Sequence, residues 1–358
     1  MRIICEPTGQ YQNSLLRTAR RHGYLTCYVN TESVKKFRVV ETNDTGKTDI
    51  KDPRVISTLA RLNKVIKHRM LGEDYLMLRK LGKIYDETDM EIVRMKGRLN
   101  KLLVELFCDY SFKKDFLYSN SGLALIKKYG CNPYRIIKTG FNRFCKTMKL
   151  AAPRIQTETL KRLFEDAQSS VLNELPTGYI EILQQRFCQL FQDYMNQRKR
   201  KEDIVKKMIE ILMRLREKDP NIPPPTPGVI SAKNLARLLG EAGPLSDFSD
   251  WRKLMRYFGL NIRMRQSGKY QGQYKITKKG RPLGRKVLDN IILPLVKKGC
   301  LYGDYYHVKK EREKRPGNKA MTIVMRNFLK KFYGWYQSGK AFDQKRFFNS
   351  ESRYSKAA

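Results

Sequence analysis

The chain has 358 residues, of which 41% are hydrophobic and 30% are charged. This composition is typical of a globular protein of two or three domains and excludes an intrinsically disordered chain. Lysine and arginine number 73 against 35 aspartate and glutamate residues, which gives a formal net charge of +38. Because self-repulsion of this size destabilises a compact protein, we expect a polyanionic partner, and the spread of the charge along the chain indicates a nucleic acid.

The spacing of the cysteines and the length of the apolar runs indicate the cellular compartment of the protein. None of the seven cysteines lies in C-x-x-C spacing, which predicts reduced thiols in a cytoplasmic protein and no zinc site. The chain opens on a strand-like run without a signal-peptide pattern. No run of about 18 apolar residues is present, so the sequence predicts no membrane span.

The first forty residues predict a β-α-β unit followed by a helix. Residues 2–5 form a short strand pattern, residues 12–22 an amphipathic helix, residues 24–29 a second strand and residues 31–40 a second helix. Strands joined in this way run parallel through a right-handed crossover. Glu6 follows the first strand, where functional groups gather in such sheets. It is therefore a candidate site residue, with a capping or solvated glutamate as the alternative.

Two further acids, Asp49 and Asp52, lie three residues apart. A helix is predicted over residues 52–68, with Pro53 at its first position and Asp52 as its N-cap. The helix macrodipole by itself favours acids at such a start. The alternative interpretation is a divalent-metal site that acts on phosphates, formed by both aspartates together with Glu6.

The middle of the chain is predicted to be largely helical. One amphipathic helix is expected over residues 73–107, followed by a mixed region rich in turn residues. Between residues 157 and 217 the apolar spacing predicts two or three long helices, broken at residues 176–178 and near residues 198–201. These helices either form a coiled-coil dimer arm or pack within the chain as a bundle.

Residues 219–227 contain five prolines and mark a domain boundary. The turn that follows includes Gly228 and leads into a helix predicted over residues 232–240. This layout resembles a helix-hairpin-helix element, in which loop amides and a helix N-terminus hold a DNA phosphate without reading the sequence. A plain helical turn has the same pattern.

The loop predicted over residues 261–272 contains Ser267, with Arg265 and Lys269 on either side. An arginine beside a hydroxyl is suited to orient a phosphodiester and to stabilise the charge that develops during attack. The alternative is an ordinary turn serine. A basic surface extends from this loop, and its candidate nucleic-acid-binding residues are Arg263, Lys278, Lys279, Arg281 and Arg285. An aromatic helix near the C-terminus is expected to be mainly packed.

Three motifs in this order resemble a known family. They are Glu-Pro-Thr-Gly at residues 6–9, Lys-Thr-Asp-x-x-Asp at residues 47–52 and Gln-Ser-Gly-x-x-x-Gly at residues 266–272. Together they resemble the insertion-sequence transposases that join a RuvC-like DEDD domain to a C-terminal domain with a serine nucleophile, the bridge-RNA-guided recombinases.

The resemblance implies an α/β fold followed by an all-α part. A RuvC/RNase H-like domain is expected over residues 1–110, a helical coiled-coil-like region over residues 111–225 and a mostly helical transposase domain over residues 226–345. A basic tail would occupy residues 346–358. The family's first strands and first aspartate have no counterpart here, so the N-terminal domain is expected to be truncated or its start misplaced. Pro53 also stands where the family usually has alanine.

The resemblance also implies roles for individual residues. Glu6, Asp49 and Asp52 would bind Mg²⁺, and Ser267 would form a covalent phosphoserine link to DNA. A structured guide RNA, a dimer or tetramer with sites shared between protomers, and a nucleoid location in the cytoplasm are expected with it. Two alternatives remain: a catalytically impaired remnant that binds nucleic acid, and a RuvC-like nuclease that uses water and not Ser267.

Overall fold

The computed structural model describes residues 1–7, 9, 11–42, 51–112, 115–264, 266–267, 270–272 and 274–344, and of residues 41, 42, 51, 270 and 271 it describes the backbone. The predicted site residues Asp49, Arg265 and Lys269 and the expected basic tail lie outside this part of the chain. Contacts divide the protein into two units, Met1–Gly72 and Glu73–Ala358. The helix that begins at Glu73 therefore packs with the second unit, whereas the sequence assigned it to the N-terminal domain.

The first unit contains a three-stranded sheet in the order β1-β2-β3. Its elements are β1 (Arg2–Cys5), α1 (Gln12–Arg21), β2 (Leu25–Val29), α2 (Thr31–Thr42), α3 (Lys51–Arg61) and β3 (Val65–Lys67). Strands β1 and β2 run parallel and are joined through α1, which confirms the predicted β-α-β unit. One buried cluster of its core consists of Val29, Val34, Val55 and Leu59.

The predicted helix over residues 52–68 is wrong in its second half. Helix α3 ends at Arg61, and Asn63 adopts a left-handed conformation with φ of 53°. The chain then returns as β3, antiparallel to β2, with Val65 opposite Val29. The apolar spacing fits a helix and a short strand equally well, and the β-branched pair Val65 and Ile66 is favourable in a strand.

The second unit is built on two long helices, α4 (Glu73–Leu106) and α9 (Thr177–Lys218). Asp74 near the start of α4 accepts hydrogen bonds from Arg214 at 3.0 Å and Lys218 at 2.7 Å near the end of α9, so the helices run antiparallel. The predicted break near residues 198–201 is wrong, because α9 is continuous there and Lys201 forms an ion pair with Asp89 of α4. This run contains only good helix formers.

Four shorter helices lie between the two long ones in the chain. They are α5 (Asn120–Tyr129), α6 (Pro133–Thr139), α7 (Phe141–Ala151) and α8 (Thr157–Val171), preceded by a 3₁₀ turn at Phe116–Tyr118. Their apolar faces form one buried cluster with α4 and with residues 187–194 of α9. The apolar face of this part of α9 is therefore buried within the chain, as in the bundle interpretation.

The C-terminal part combines helices with a small β-ribbon. Its elements are α10 (Ala232–Ala242), a 3₁₀ turn (Leu245–Asp247), α11 (Trp251–Tyr257), β4 (Ile262–Arg263), β5 (Gln266–Ser267), β6 (Tyr270–Gln271), β7 (Lys275–Ile276), α12 (Pro282–Leu295), α13 (Gly303–His307), a π-helical turn (Val308–Arg312) and α14 (Gly317–Ser338). Helix α14 buries Phe328, Leu329 and Phe332, so the aromatic C-terminal helix is packed. Gly240 allows α10 to approach α4, since a Cβ there would lie 2.9 Å from the Leu78 carbonyl carbon.

The helix-hairpin-helix-like element is only partly present. Thr226 and Ile230 form an isolated β-bridge around a turn in which Gly228 has φ of 73°, and α10 follows with Ser231 as its N-cap. Helix α9 ends at Lys218, well before this turn, because the intervening prolines cannot continue it. Among the described residues, no helix is both long enough and apolar enough to cross a membrane.

Candidate functional site

Ser267 is the last residue of strand β5 in an exposed β-ribbon. Strands β5 and β6 pair antiparallel, with Gln266 opposite Gln271 and Ser267 opposite Tyr270. The Ser267 side chain is exposed. The ribbon therefore presents a hydroxyl to solvent on paired backbone, a more defined position than the open loop predicted from the sequence.

The base of the ribbon is fixed to the rest of the second unit. Strands β4 and β7 pair with Arg263 opposite Lys275. Below them, the Thr277 hydroxyl lies 2.6 Å from Oδ1 of Asn261, and the Lys278 amide donates to the Gly259 carbonyl at 3.0 Å. Gly259 has φ of 69° and its backbone lies against residues 278–279, so any side chain there would clash. These contacts hold the two strands that lead to Ser267.

An open cleft of about 850 Å³ lies between the β4–β7 pair and the first half of α14. Its lining includes six cations and no aspartate or glutamate: Arg263, Lys275, Lys278, Arg315, Lys319 and Arg326. Tyr274, exposed at the cleft, and the polar side chains of Thr277, Asn318 and Thr322 complete much of the remaining wall. We call this the ribbon cleft. A surface with this charge attracts phosphate groups.

Two predicted nucleic-acid-binding residues line the ribbon cleft, and two others have structural contacts. Arg263 and Lys278 belong to the lining. Arg281 instead donates to both carboxylate oxygens of Glu241, at 2.9 and 3.2 Å. Arg285 donates to the Phe258 carbonyl at 2.9 Å. Burial lowers the pKa of Arg281, but the hydrogen bond and charge of Glu241 outweigh it, and the net shift is upward.

Lys279 is exposed and lies just before α12. Gly228 lies in the turn between Thr226 and Ile230, at the start of the C-terminal part. The sequence did not predict Arg315, Lys319 and Arg326 as site residues. Lys319 and Arg326 lie on α14, and Arg315 lies just before it. Only the packing of this segment against the ribbon brings the three cations to the ribbon cleft. The sequence signal that was present is the high density of basic residues after residue 309.

The acids of the first unit do not form a metal centre in the described residues. Glu6 follows β1 and is partly exposed. Asp52 lies inside the first turn of α3, not at an N-cap, and its Oδ1 accepts from Arg38 Nε at 3.0 Å and Nη2 at 2.5 Å. Only 14% of the Asp52 side chain is exposed. No group of three potential protein ligands occurs in the described part of the chain. Because the Arg38 guanidinium neutralises Asp52, this carboxylate does not fit a divalent ion as it stands.

Comparison with known proteins gives the class of this chain. A family model for DEDD transposases of IS110 elements, described as "Transposase", matches residues 1–108. A second model, "Transposase IS116/IS110/IS902 family", matches residues 226–307, which include the ribbon and Ser267. The protein is a DNA recombinase or transposase.

More specifically, the chain belongs to the IS110-type insertion-sequence transposases, since the two models together match more than half of it in the expected order. The resemblance inferred from the three sequence motifs is confirmed. A DEDD domain of this kind typically uses a divalent metal. No curated protein matches the chain.

Proposed function

We propose that this transposase cuts and rejoins DNA through a covalent link between Ser267 and a DNA phosphate. The observation that carries the proposal is the exposed Ser267 hydroxyl on a ribbon whose base is held by hydrogen bonds and lines a cleft of six cations. The residues concerned lie within the segment matched by the second transposase model. A serine hydroxyl and surrounding positive charge are the two components that phosphoryl transfer to a protein side chain requires.

The reaction proceeds in two transfers. Oγ of Ser267 forms a bond to the scissile phosphorus, the bond from that phosphorus to a deoxyribose oxygen breaks, and the released hydroxyl takes up the proton that the serine loses. A hydroxyl from another strand then attacks the phosphoserine, which rejoins DNA and returns the serine. The covalent link conserves the energy of the broken bond, so rejoining needs no external energy source.

The cations of the ribbon cleft supply binding and electrostatic stabilisation. Arg263 and Lys275 lie opposite each other on the strands that lead to the serine, so they can hold the phosphates that flank the scissile one. Fixed cations also stabilise the extra negative charge of the transition state. Contacts of this kind are to the backbone and carry no sequence information.

Glu6, Asp49 and Asp52 are the residues that would have to hold Mg²⁺. Bound there, the ion would polarise a phosphate oxygen. Because Arg38 already holds the Asp52 carboxylate, the two transfers described above do not involve the ion. The pairing of Arg38 with Asp52 disfavours a nuclease that uses metal-activated water. It favours instead a second candidate function, in which the first unit binds nucleic acid without metal chemistry.

We further propose a guide RNA and a homo-oligomer, with the protein located at the nucleoid. The net charge of +38 supports a polyanionic partner in addition to a short DNA site. A guide RNA would read the DNA sequence by base pairing, which the protein's contacts to the phosphate backbone do not do. Leu76, Met90 and Val104 support self-association, since these exposed apolar residues recur every fourteen positions along α4. A separation of fourteen residues equals two heptads, so the three side chains lie on one side of the helix, as residues that pack in a coiled coil do.

The test is a search for a covalent adduct. The protein is incubated with labelled DNA, Mg²⁺ and the RNA that flanks the element, and the products are separated under denaturing conditions. We expect an adduct that disappears in Ser267→Ala and persists in Ser249→Ala, a matched change at another exposed serine of the same part. An adduct that survives Ser267→Ala would refute the serine mechanism, and binding without any adduct would favour the second candidate.

A further inference from the structure

A second basic cleft lies far along the chain from Ser267, between helices α5 and α7. It has a volume of about 980 Å³. Its lining includes five cations and no acid: Lys127, Lys128, Arg143, Lys146 and Arg154. We call it the α5–α7 cleft. It falls within residues 109–225, which neither transposase model matches.

The five cations of this cleft are exposed to solvent. None of them makes a hydrogen bond or an ion pair within the described part of the chain, and all five side chains are exposed. Some cations elsewhere in the same unit are paired instead, as Arg281 is with Glu241 and Lys201 with Asp89. Charges that stabilise a fold have partners, whereas the cations of the α5–α7 cleft are available to a ligand.

The sequence of this region concentrates the positive charge. Residues 116–157 contain eight lysine or arginine residues and no aspartate or glutamate. The helix macrodipole explains Lys127 and Lys128, which lie in the last turn of α5. It does not explain Arg143 near the start of α7 or Arg154 beyond its end.

Helix periodicity separates a buried face of α7 from the face that lines the cleft. Phe144 and Met148 are fully buried in the core of the unit. Arg143, Lys146 and Leu150 follow the spacing i, i+3, i+7 and line the cleft. Residues at this spacing share one face of a helix. The packing of α7 therefore sets the positions of these cations.

We propose that the α5–α7 cleft binds the sugar–phosphate backbone of a nucleic acid strand. Five exposed cations over about 980 Å³ exceed what one small anion requires, and they match a chain of phosphates. The apolar side chains of Leu123, Leu150 and Pro153 in the same lining offer contact surface for sugars. The site is separate from Ser267 and does not depend on serine chemistry.

The test compares two matched double variants of the full chain. Arg143→Gln with Lys146→Gln removes two cations from the cleft. Arg135→Gln with Lys138→Gln removes two exposed cations of α6, in the same acid-free stretch but outside the lining. Binding to a labelled 20-base-pair RNA hairpin and to a DNA duplex of the same sequence is measured by fluorescence anisotropy over a series of salt concentrations, after thermal melting has established that both proteins are folded.

We expect the cleft variant to bind about tenfold more weakly and to lose roughly two units from the slope of log K against log salt, since each phosphate contact contributes about one. The α6 variant should change little. Weakening for RNA alone or for DNA alone would identify which backbone occupies the cleft. Equal effects of the two variants on both ligands would overturn the proposal.

A second pair of variants avoids any question of folding. Leu150 at the cleft and Leu172 after α8 are 84% and 80% exposed, so a glutamate at either position is solvated. Leu150→Glu places a carboxylate beside the proposed phosphates and should weaken binding, whereas Leu172→Glu should not. Unchanged binding by Leu150→Glu would contradict the proposal. The measurement is binding and not cleavage, so failure of this inference can be distinguished from failure of the proposed recombination chemistry at Ser267.

Discussion

The Arg237 guanidinium donates a hydrogen bond to the Asp86 carboxylate at 2.9 Å, and only 2% and 8% of the two side chains are exposed. Lys286 approaches the other carboxylate oxygen at 2.6 Å, and Arg237 also lies over the Tyr85 ring. Asp86 belongs to the segment matched by the first transposase model, and both cations belong to the segment matched by the second. This buried network therefore joins the two family segments within the second unit.

Asp86→Ala should destabilise the second unit by about 3–5 kcal/mol, because it leaves Arg237 buried without its counter-charge. The measurement is the shift of the urea unfolding transition. Glu87→Ala is the matched control, since the neighbouring carboxylate is exposed and its loss should cost less than about 0.5 kcal/mol. Equal shifts for the two variants would exclude a structural role for the network.

Arg38→Gln and Asp52→Asn should each destabilise the first unit by about 1–3 kcal/mol, because each leaves a nearly buried charge without its partner. A double-mutant cycle should give a clear coupling energy between the two. The exposed pair Lys36 and Glu32 is the control and should give almost none.

The same variants test whether Asp52 binds a metal. If Mg²⁺ raised the melting temperature of the unaltered protein but not of Asp52→Asn, Asp52 would be a ligand of the ion. The ion pair with Arg38 would then be only one of two states of the Asp52 carboxylate. We expect Mg²⁺ to have the same effect on both proteins at matched ionic strength, since Arg38 already occupies the Asp52 carboxylate.

Arg263→Gln and Arg281→Gln should have opposite consequences. Arg263 lines the ribbon cleft, so its loss should weaken DNA binding several-fold, lower the salt slope by about one and leave stability unchanged. Arg281 neutralises the buried Glu241, so its loss should lower the free energy of unfolding by about 2 kcal/mol. Anisotropy titrations and urea transitions on both variants check the two roles. If only Arg281→Gln weakened DNA binding, the DNA-binding role assigned to Arg263 would be wrong.

Stability should depend on Asp74 at acid pH. A hydrogen bond from Lys218 lowers the pKa of the Asp74 carboxyl, burial raises it, and a further hydrogen bond from Arg214 lowers it, so the folded-state pKa lies below the ordinary value. A depressed folded-state pKa means that the contribution is present above the unfolded-state pKa of about 3.9 and is lost as pH falls through the folded-state value.

Asp74→Asn should therefore lower the melting temperature at pH 7, and its difference from the unaltered protein should shrink as the pH falls below about 4. Asp203→Asn serves as the control, because Asp203 lies on α9 in an exposed ion pair. A difference between the Asp74 variant and the unaltered protein that stayed constant down to pH 2 would show that the carboxylate charge is not the cause.

Much of the fold follows from local pattern. The β-α-β unit, the long helix α4 and the packed aromatic helix α14 were predictable, because each has an unambiguous apolar period and clear end signals. Strand β3 and the continuity of α9 were not. Val65 and Ile66 fit the apolar period of a helix and of a strand, and the basic run around Lys201 interrupts the apolar period although it consists of good helix formers.

The candidate site, like the fold, was predictable from the sequence only in part. The sequence by itself determined the family, through motifs that include Glu6 and Ser267, and it determined the excess of positive charge that a nucleic acid must neutralise. Only the tertiary structure decided which cations are available. Arg263 and Arg281 are equivalent in the sequence, yet one lines an acid-free cleft and the other pairs with Glu241. The physical reason is that an ion pair depends on distance in space, and packing of distant segments sets that distance.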